Sequence, residues 1–124
     1  MEKFDSLVDY CLNCLAKPCK KGCPLGNDIP SFIKAAKDGK FLDAFNILSE
    51  TTVLAAICGR ICPFRQLCEK NCIRSLKGEP VQIGKIEAYI GDKFLESDYP
   101  LFSNVLKDNG KKVAIVGAGP AGLS

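Results

Sequence analysis

The chain of 124 residues carries eight cysteines, no histidine and a formal net charge of +3. This length allows one small domain with a modest core, which metal or covalent cross-links would stabilise. The absence of histidine excludes mixed cysteine–histidine zinc sites, Rieske centres and His-based catalytic triads, and the small charge gives no indication of a nucleic-acid or anionic-lipid partner.

The chain begins with charges of both signs and without the apolar segment of a secretory signal. No apolar run has the length that a membrane span needs. We therefore expect a cytoplasmic protein, in which thiols are usually reduced. In that compartment a dense set of cysteines is typical of metal sites rather than of disulfides.

The first cysteine-rich stretch runs from Tyr10 to Pro24 and contains four cysteines. These are Cys11, Cys14, Cys19 and Cys23. Its lysine, glycine and proline content predicts a loop wrapped around a bound group rather than one regular element.

Two helices are predicted next. Asp28 is the candidate N-cap of the first helix, Pro30 lies in its first turn, and Asp38-Gly39 ends it. Apolar residues at helical spacing predict the second helix from about Phe41 to Ser49. The two helices would form a small pair.

The second cysteine-rich stretch carries Cys58, Cys62, Cys68 and Cys72. Its spacings predict short helical turns that present the sulfur atoms to one side. A longer helix is predicted from Ile83 to about Leu95, and Pro100 marks the break after it.

In the last stretch the apolar residues no longer follow helical spacing. Val113–Val116 has the pattern of a short buried strand, and a glycine-rich turn follows. The candidate cofactor-binding residues of that turn are Gly117, Gly119, Pro120, Ala121 and Gly122. A strand directly before such a turn is typical of a dinucleotide-binding fold, in which the glycines allow close approach of a pyrophosphate. We therefore interpret the sequence as a fragment cut just inside a second domain.

The spacing Cys11-x2-Cys14-x4-Cys19-x3-Cys23-Pro24 is typical of bacterial ferredoxins, in which the cysteine before proline ligates the other cluster. Two all-cysteine zinc sites are the main alternative, although only Cys11 and Cys14 form a CxxC knuckle. A disulfide framework is a third interpretation.

These motifs resemble the N-terminal iron–sulfur region shared by the small subunit of NADPH-dependent glutamate synthase and by dihydropyrimidine dehydrogenase. The resemblance rests on the cysteine motif above, followed by Ile29-Pro30-x-Phe32-Ile33, Cys58-Gly59-Arg60-Ile61-Cys62-Pro63-x3-Leu67-Cys68-Glu69-x2-Cys72 and Pro80-Val81-x-Ile83-Gly84-x-Ile86-Glu87. Ordered motifs with matching gaps are hard to obtain by chance.

The resemblance implies an all-α fold over residues 1–108, a helical ferredoxin-like domain with two [4Fe-4S] clusters. Residues 109–124 would be the first strand and Gly-rich turn of a truncated FAD-binding Rossmann-like domain.

The resemblance also implies the ligands of each cluster. One cluster would be bound by Cys11, Cys14, Cys19 and Cys72, and the other by Cys23, Cys62, Cys68 and Glu87. Glu87 stands where dihydropyrimidine dehydrogenase uses a glutamine oxygen, and Cys58 is the alternative fourth ligand.

The implied function is electron transfer between FAD and a partner active site in an NADPH-dependent, glutamate synthase-like oxidoreductase. FAD and NADPH would bind only the full-length protein, and the fragment would not be catalytic alone. The implied partners are a C-terminal flavin domain of the same chain and a larger catalytic subunit or domain, and the fragment alone is compatible with a homodimer. The alternative function is a zinc-stabilised interaction domain.

Overall fold

The computed structural model describes residues 2–98 and 107–123. The described residues form seven α-helices: α1 Glu2–Asp9, α2 Pro18–Gly22, α3 Ile29–Lys37, α4 Phe41–Ser49, α5 Ala55–Ile61, α6 Ile83–Leu95 and α7 Pro120–Leu123. Between α5 and α6 lie three short 3-10 helices: Phe64–Gln66, Glu69–Asn71 and Ile73–Leu76. The described residues contain no strand, and the predicted all-α class is confirmed.

The predicted helices α3, α4 and α6 are confirmed with the expected ends. Pro30 stands in the first turn of α3, where its missing N–H costs no helical hydrogen bond. After α3, Gly39 adopts a left-handed φ of 72°, which glycine tolerates best. Asp28 is the N-cap residue of α3 as predicted, but its carboxylate makes no cap hydrogen bond and binds Lys17 instead.

The core lies between α1, α3, α4 and α6. Phe32, Leu48, Ile86 and Ile90 are each 0% exposed. Burial of an apolar side chain of this size stabilises a fold by about 1.5–3 kcal/mol. These four positions therefore fix how α3, α4 and α6 pack.

The sequence interpretation missed helix α1. Its buried residues Phe4 and Val8 are four positions apart, which places them on one helix face. The Phe4 ring stacks on Tyr89 of α6 with 3.9 Å between centroids. This apolar spacing was present in the sequence and was a usable signal.

Helices α5 and α6 approach each other closely through small residues. A side chain at Gly59 would collide with the backbone of Ala88, and one at Gly91 would collide with the backbone of Ala56. The backbones of the two helices therefore lie in near contact at these positions. They are also joined by Arg60, whose Nη1 and Nη2 donate to the Asp92 carboxylate at 3.0 and 2.6 Å.

Residues 113–116 do not form the predicted strand. Val113, Ile115 and Val116 are 84%, 68% and 100% exposed, and no partner strand lies within the two described ranges. A strand needs a neighbouring strand to satisfy its backbone groups. Assignment of 109–124 to a Rossmann-like domain stays a prediction, and the break predicted at Pro100 lies outside the described residues.

Within the described parts of the chain, none of the helices combines the length and the apolar character that a membrane crossing needs.

Candidate metal centre

The eight cysteines are all free thiols, and they lie around two cavities. The first cavity is lined by Cys11, Cys14, Cys19 and Cys72. The second is lined by Cys23, Cys58, Cys62, Cys68 and Glu87. The fold thus brings together all eight sequence-predicted ligands in the predicted groups, and it adds Cys58 to the second group.

The loop of the first cavity has an unusual backbone. Asn13 and Lys17 have positive φ values of 50° and 45°, a conformation that side-chain-bearing residues adopt infrequently. Lys17 is held there by its ammonium group, whose Nζ lies 2.7 and 2.6 Å from the two Asp28 carboxylate oxygens and 3.1 Å from Ser31 Oγ. These bonds tie the cysteine loop to the start of α3. Helix α2 begins directly after Lys17 and carries the buried Cys19.

A second set of contacts joins the two chain segments of the first cavity. Arg74 Nε donates to the carbonyl oxygen of Tyr10 at 3.1 Å, and its guanidinium lies 4.3 Å from the centre of the Tyr10 ring. The Tyr10 hydroxyl donates to the Glu79 carbonyl at 3.1 Å. Tyr10 precedes Cys11 and Arg74 follows Cys72 closely, so these contacts hold the two cysteines near each other.

Electrostatics in the first cavity favour neutral thiols unless a cation is bound. Burial raises the pKa of Cys19 to about 11, and nearby Cys11 and Cys72 act in the same direction. Burial likewise raises the pKa of Cys11. A metal cation reverses this preference, because coordination stabilises the thiolate. The first cavity has a volume of about 20 Å³.

The second cavity has a volume of about 210 Å³. Cys58 lies on α5 and Cys62 directly follows its last residue, and the amide of Cys62 donates to the carbonyl of Cys58 at 3.1 Å. Cys68 is buried at the start of a 3-10 helix, and burial raises its pKa to about 12. Cys23 reaches the cavity from the segment after α2.

Glu87 is the feature that most needs explanation. It is 4% exposed, and its Oε1 has no hydrogen-bond partner among the described residues. Burial raises the pKa of its carboxyl to about 7. A buried carboxylate without a partner is unfavourable, and native structures rarely leave one unexplained. Its position beside four thiols fits a bound cationic group, since thiolates and carboxylates are metal ligands.

No three cysteine or acidic side chains among the described residues converge tightly enough to hold a single metal ion.

Six basic residues lie within a few positions of a cysteine, and three of them are paired with carboxylates. Lys17 pairs with Asp28, Arg60 with Asp92, and Arg65 with Glu69 and Glu79. Lys20 and Lys21 are exposed. Arg74 lines the first cysteine cavity, and none of the other five basic residues lines either cavity.

The glycine-rich turn lies at the exposed end of the described chain. Gly117 has a φ of 113°, which only glycine adopts readily, and a side chain at Gly122 would collide with the Gly117 carbonyl oxygen. The amide of Leu123 donates to the Gly119 carbonyl at 3.0 Å and closes the short helix α7, which contains Pro120 and Ala121. The role of this turn in binding a cofactor stays a prediction.

Residues 5–99 match the family model described as "Dihydropyrimidine dehydrogenase domain II, 4Fe-4S cluster". The chain belongs to this iron–sulfur family. The resemblance stated from the sequence is therefore confirmed, and the chain is a [4Fe-4S] domain of the glutamate synthase small-subunit and dihydropyrimidine dehydrogenase type.

The chain is similar in sequence to several larger proteins. The chain is 42% identical to the glutamate synthase [NADPH] small chain of Escherichia coli (strain K12) over 117 residues, 94% of this chain and 25% of that protein. It is 34% identical to the Azospirillum brasilense protein of the same name over 125 residues, 99% of this chain and 26% of that protein. It is 35% identical to the NAD-dependent dihydropyrimidine dehydrogenase subunit PreT of Escherichia coli (strain K12) over 113 residues, 91% of this chain and 27% of that protein. The chain therefore spans about a quarter of the length of these larger oxidoreductase proteins.

Sequence reasoning missed the contacts that support the site. The Arg60–Asp92 pair spans 32 positions, and the approach of Gly59 to Ala88 joins different helices. Neither leaves a periodic pattern in the sequence. The Lys17–Asp28 pair is similarly hidden, because Asp28 has the ordinary appearance of an N-cap.

Proposed function

We propose that this domain holds two [4Fe-4S] clusters and serves as an electron-transfer module. Cys11, Cys14, Cys19 and Cys72 would bind the first cluster. Cys23, Cys62, Cys68 and Glu87 would bind the second.

The sorting of the eight thiols around two separate cavities carries this proposal. The grouping joins cysteines that are far apart in sequence, since Cys72 lies with Cys11 and Cys23 lies with Cys68. Such crossing between segments is expected of two-cluster domains, in which a closely spaced motif contributes its last cysteine to the other cluster. It also supplies a full set of four donors at each cavity.

Burial supports Glu87 over Cys58 as the fourth ligand of the second cluster. A neutral thiol is tolerated in a half-buried position as a small apolar group, so Cys58 is stable without a metal. The Glu87 carboxylate is costly to bury without a partner. Binding to iron would therefore offset an unfavourable burial at Glu87, whereas Cys58 has no such cost to offset. A harder oxygen donor would also distinguish one iron from the other three.

The proposed physiological role is to connect a flavin with a partner active site. A bound [4Fe-4S] cluster supplies the capacity to accept and release single electrons. The relatives named glutamate synthase [NADPH] small chain support NADPH as a cofactor of the full-length protein. The sequence resemblance implies FAD, with the turn at 117–122 as the start of the flavin-binding region. A C-terminal flavin domain and a larger catalytic subunit or domain are the partners that we propose.

Metal analysis after anaerobic purification tests the two-cluster proposal. We expect about eight iron atoms and about eight acid-labile sulfides per chain, the content of two cubanes. Two zinc atoms without labile sulfide would instead establish the zinc-stabilised interaction domain. About four iron atoms per chain in fully reconstituted protein would contradict the second cluster. Cluster-free protein isolated in air is reconstituted before analysis, since air exposure removes clusters.

A further inference from the structure

The second cavity offers more donors than a cubane can use. Four thiols and one carboxylate line it, whereas a [4Fe-4S] cluster has four irons that each take one external ligand. If Glu87 is the fourth ligand, as the proposed function holds, Cys58 is a fifth donor at the same cavity.

Cys58 and Glu87 face each other across the contact of α5 with α6. Gly59, the next residue after Cys58, lies against the backbone of Ala88, the next residue after Glu87. Cys58, Glu87 and Cys62 all line the second cavity. The two candidate donors therefore lie on neighbouring helices that pack closely beside the site.

The rest of the fold keeps this arrangement fixed. The paired hydrogen bonds from Arg60 to Asp92 hold α5 along α6 two residues beyond Cys58. Gly91 and Ala56 make a second close approach on the other side of Cys58. Because both flanks of Cys58 are clamped, its thiol stays beside Glu87 whether or not the carboxylate binds a metal.

We propose that Cys58 is a reserve ligand of the second cluster. When the Glu87 carboxylate is removed from the iron that it binds, the Cys58 thiol releases its proton to solvent and its sulfur bonds to that iron. No electron transfer is needed, because one anionic donor replaces another. This inference rests on the proposed function and adds a role for the cysteine that the four-ligand assignment leaves over.

The test compares iron and labile sulfide in the protein and in Cys58→Ala, Glu87→Ala and the double variant after anaerobic reconstitution. We expect about eight irons in the unaltered protein and in both single variants, and about four in the double variant. Glu87→Ala should also change the electron paramagnetic resonance spectrum and midpoint potential of the second cluster, since a thiolate would replace an oxygen donor. Cys58→Ala should leave both unchanged.

Each contrary result has a distinct meaning. A fall to about four irons in Glu87→Ala alone overturns the reserve role and leaves the proposed function in place. Eight irons in the double variant also overturns the reserve role. A fall in Cys58→Ala alone would make Cys58 a primary ligand, which overturns both the reserve role and the Glu87 assignment. Fewer than two clusters in the unaltered protein would refute the proposed function itself.

Folding of the variants is checked by their far-ultraviolet circular dichroism and by retention of the first cluster. Glu87→Leu, alone and with Cys58→Ala, repeats the comparison with a side chain that fills the space and cannot bind iron. The same pattern of about eight and about four irons is expected from this second pair. A different pattern in a folded Leu pair counts against the reserve role.

Discussion

Replacement of Gly59 by alanine should damage the second site selectively. A Cβ at this position would lie 2.7 Å from Ala88 Cα, whereas ordinary van der Waals contact begins at 3.4 Å. The difference is about 0.7 Å, and the obstructing atoms belong to the backbone of α6. Backbone cannot rotate away as a flexible side chain can, so α5 and α6 must separate.

Gly59→Ala should have a small effect on the stability of the fold and a larger effect on the geometry of the second site. Overpacking typically costs about 1–3 kcal/mol, and the greater helix propensity of alanine returns about 1 kcal/mol. The net loss of stability is therefore about 0–2 kcal/mol, which a folded domain can survive. The displacement matters more for metal binding, because ligand distances are held within about 0.2 Å. Cys62, which directly follows α5, and Glu87 on α6 would be moved apart.

We expect Gly59→Ala to lose iron from about eight toward about four atoms per chain after anaerobic reconstitution, with the first cluster intact. Gly78→Ala is the matched control, because a Cβ there meets no atom within 4 Å. The control should keep its iron. Full iron content and an unchanged second-cluster spectrum in Gly59→Ala would refute the reasoning from the helix contact.

Two further predictions concern stability, measured as unfolding transitions under anaerobic conditions. Phe32→Ala removes a fully buried ring and should cost about 3–5 kcal/mol, whereas Leu15→Ala, at a side chain 99% exposed, should change stability by less than about 0.5 kcal/mol; similar transitions for the two would contradict the assigned core. Asp28→Asn should cost about 0.2–1 kcal/mol at neutral pH by removing the bond from Lys17. Burial acts to raise the pKa of Asp28, but hydrogen bonds, the largest from Lys17, lower it below 3.8. The contribution of the Lys17–Asp28 pair to stability is thus complete above about pH 4 and is lost as the pH falls through the lowered pKa of Asp28 in the folded protein. A difference in stability between Asp28→Asn and the unaltered protein that persists below that pKa would contradict this origin.

A structural feature of this protein was predictable from the sequence when it depends on residues close together in the chain. Helices α3, α4 and α6 were predictable because proline, glycine and apolar spacing act within a few residues. Helix α1 carried a similar signal in Phe4 and Val8, which was overlooked. The strand predicted at 113–116 did not form, since a strand depends on a neighbour elsewhere in a sheet.

By itself, the sequence determined the cysteine motifs, the helical class and the family. Only the tertiary structure showed that Cys58 and Glu87 share one cavity and what surrounds the donors. Cys58 stands beside Glu87 because α5 and α6 meet through Gly59 and Ala88, a contact between residues far apart in the chain. The burial that leaves Glu87 without a partner also comes from that packing. Spacing along a chain cannot report such contacts, because helix packing sets them through the shapes of residues that no local pattern connects.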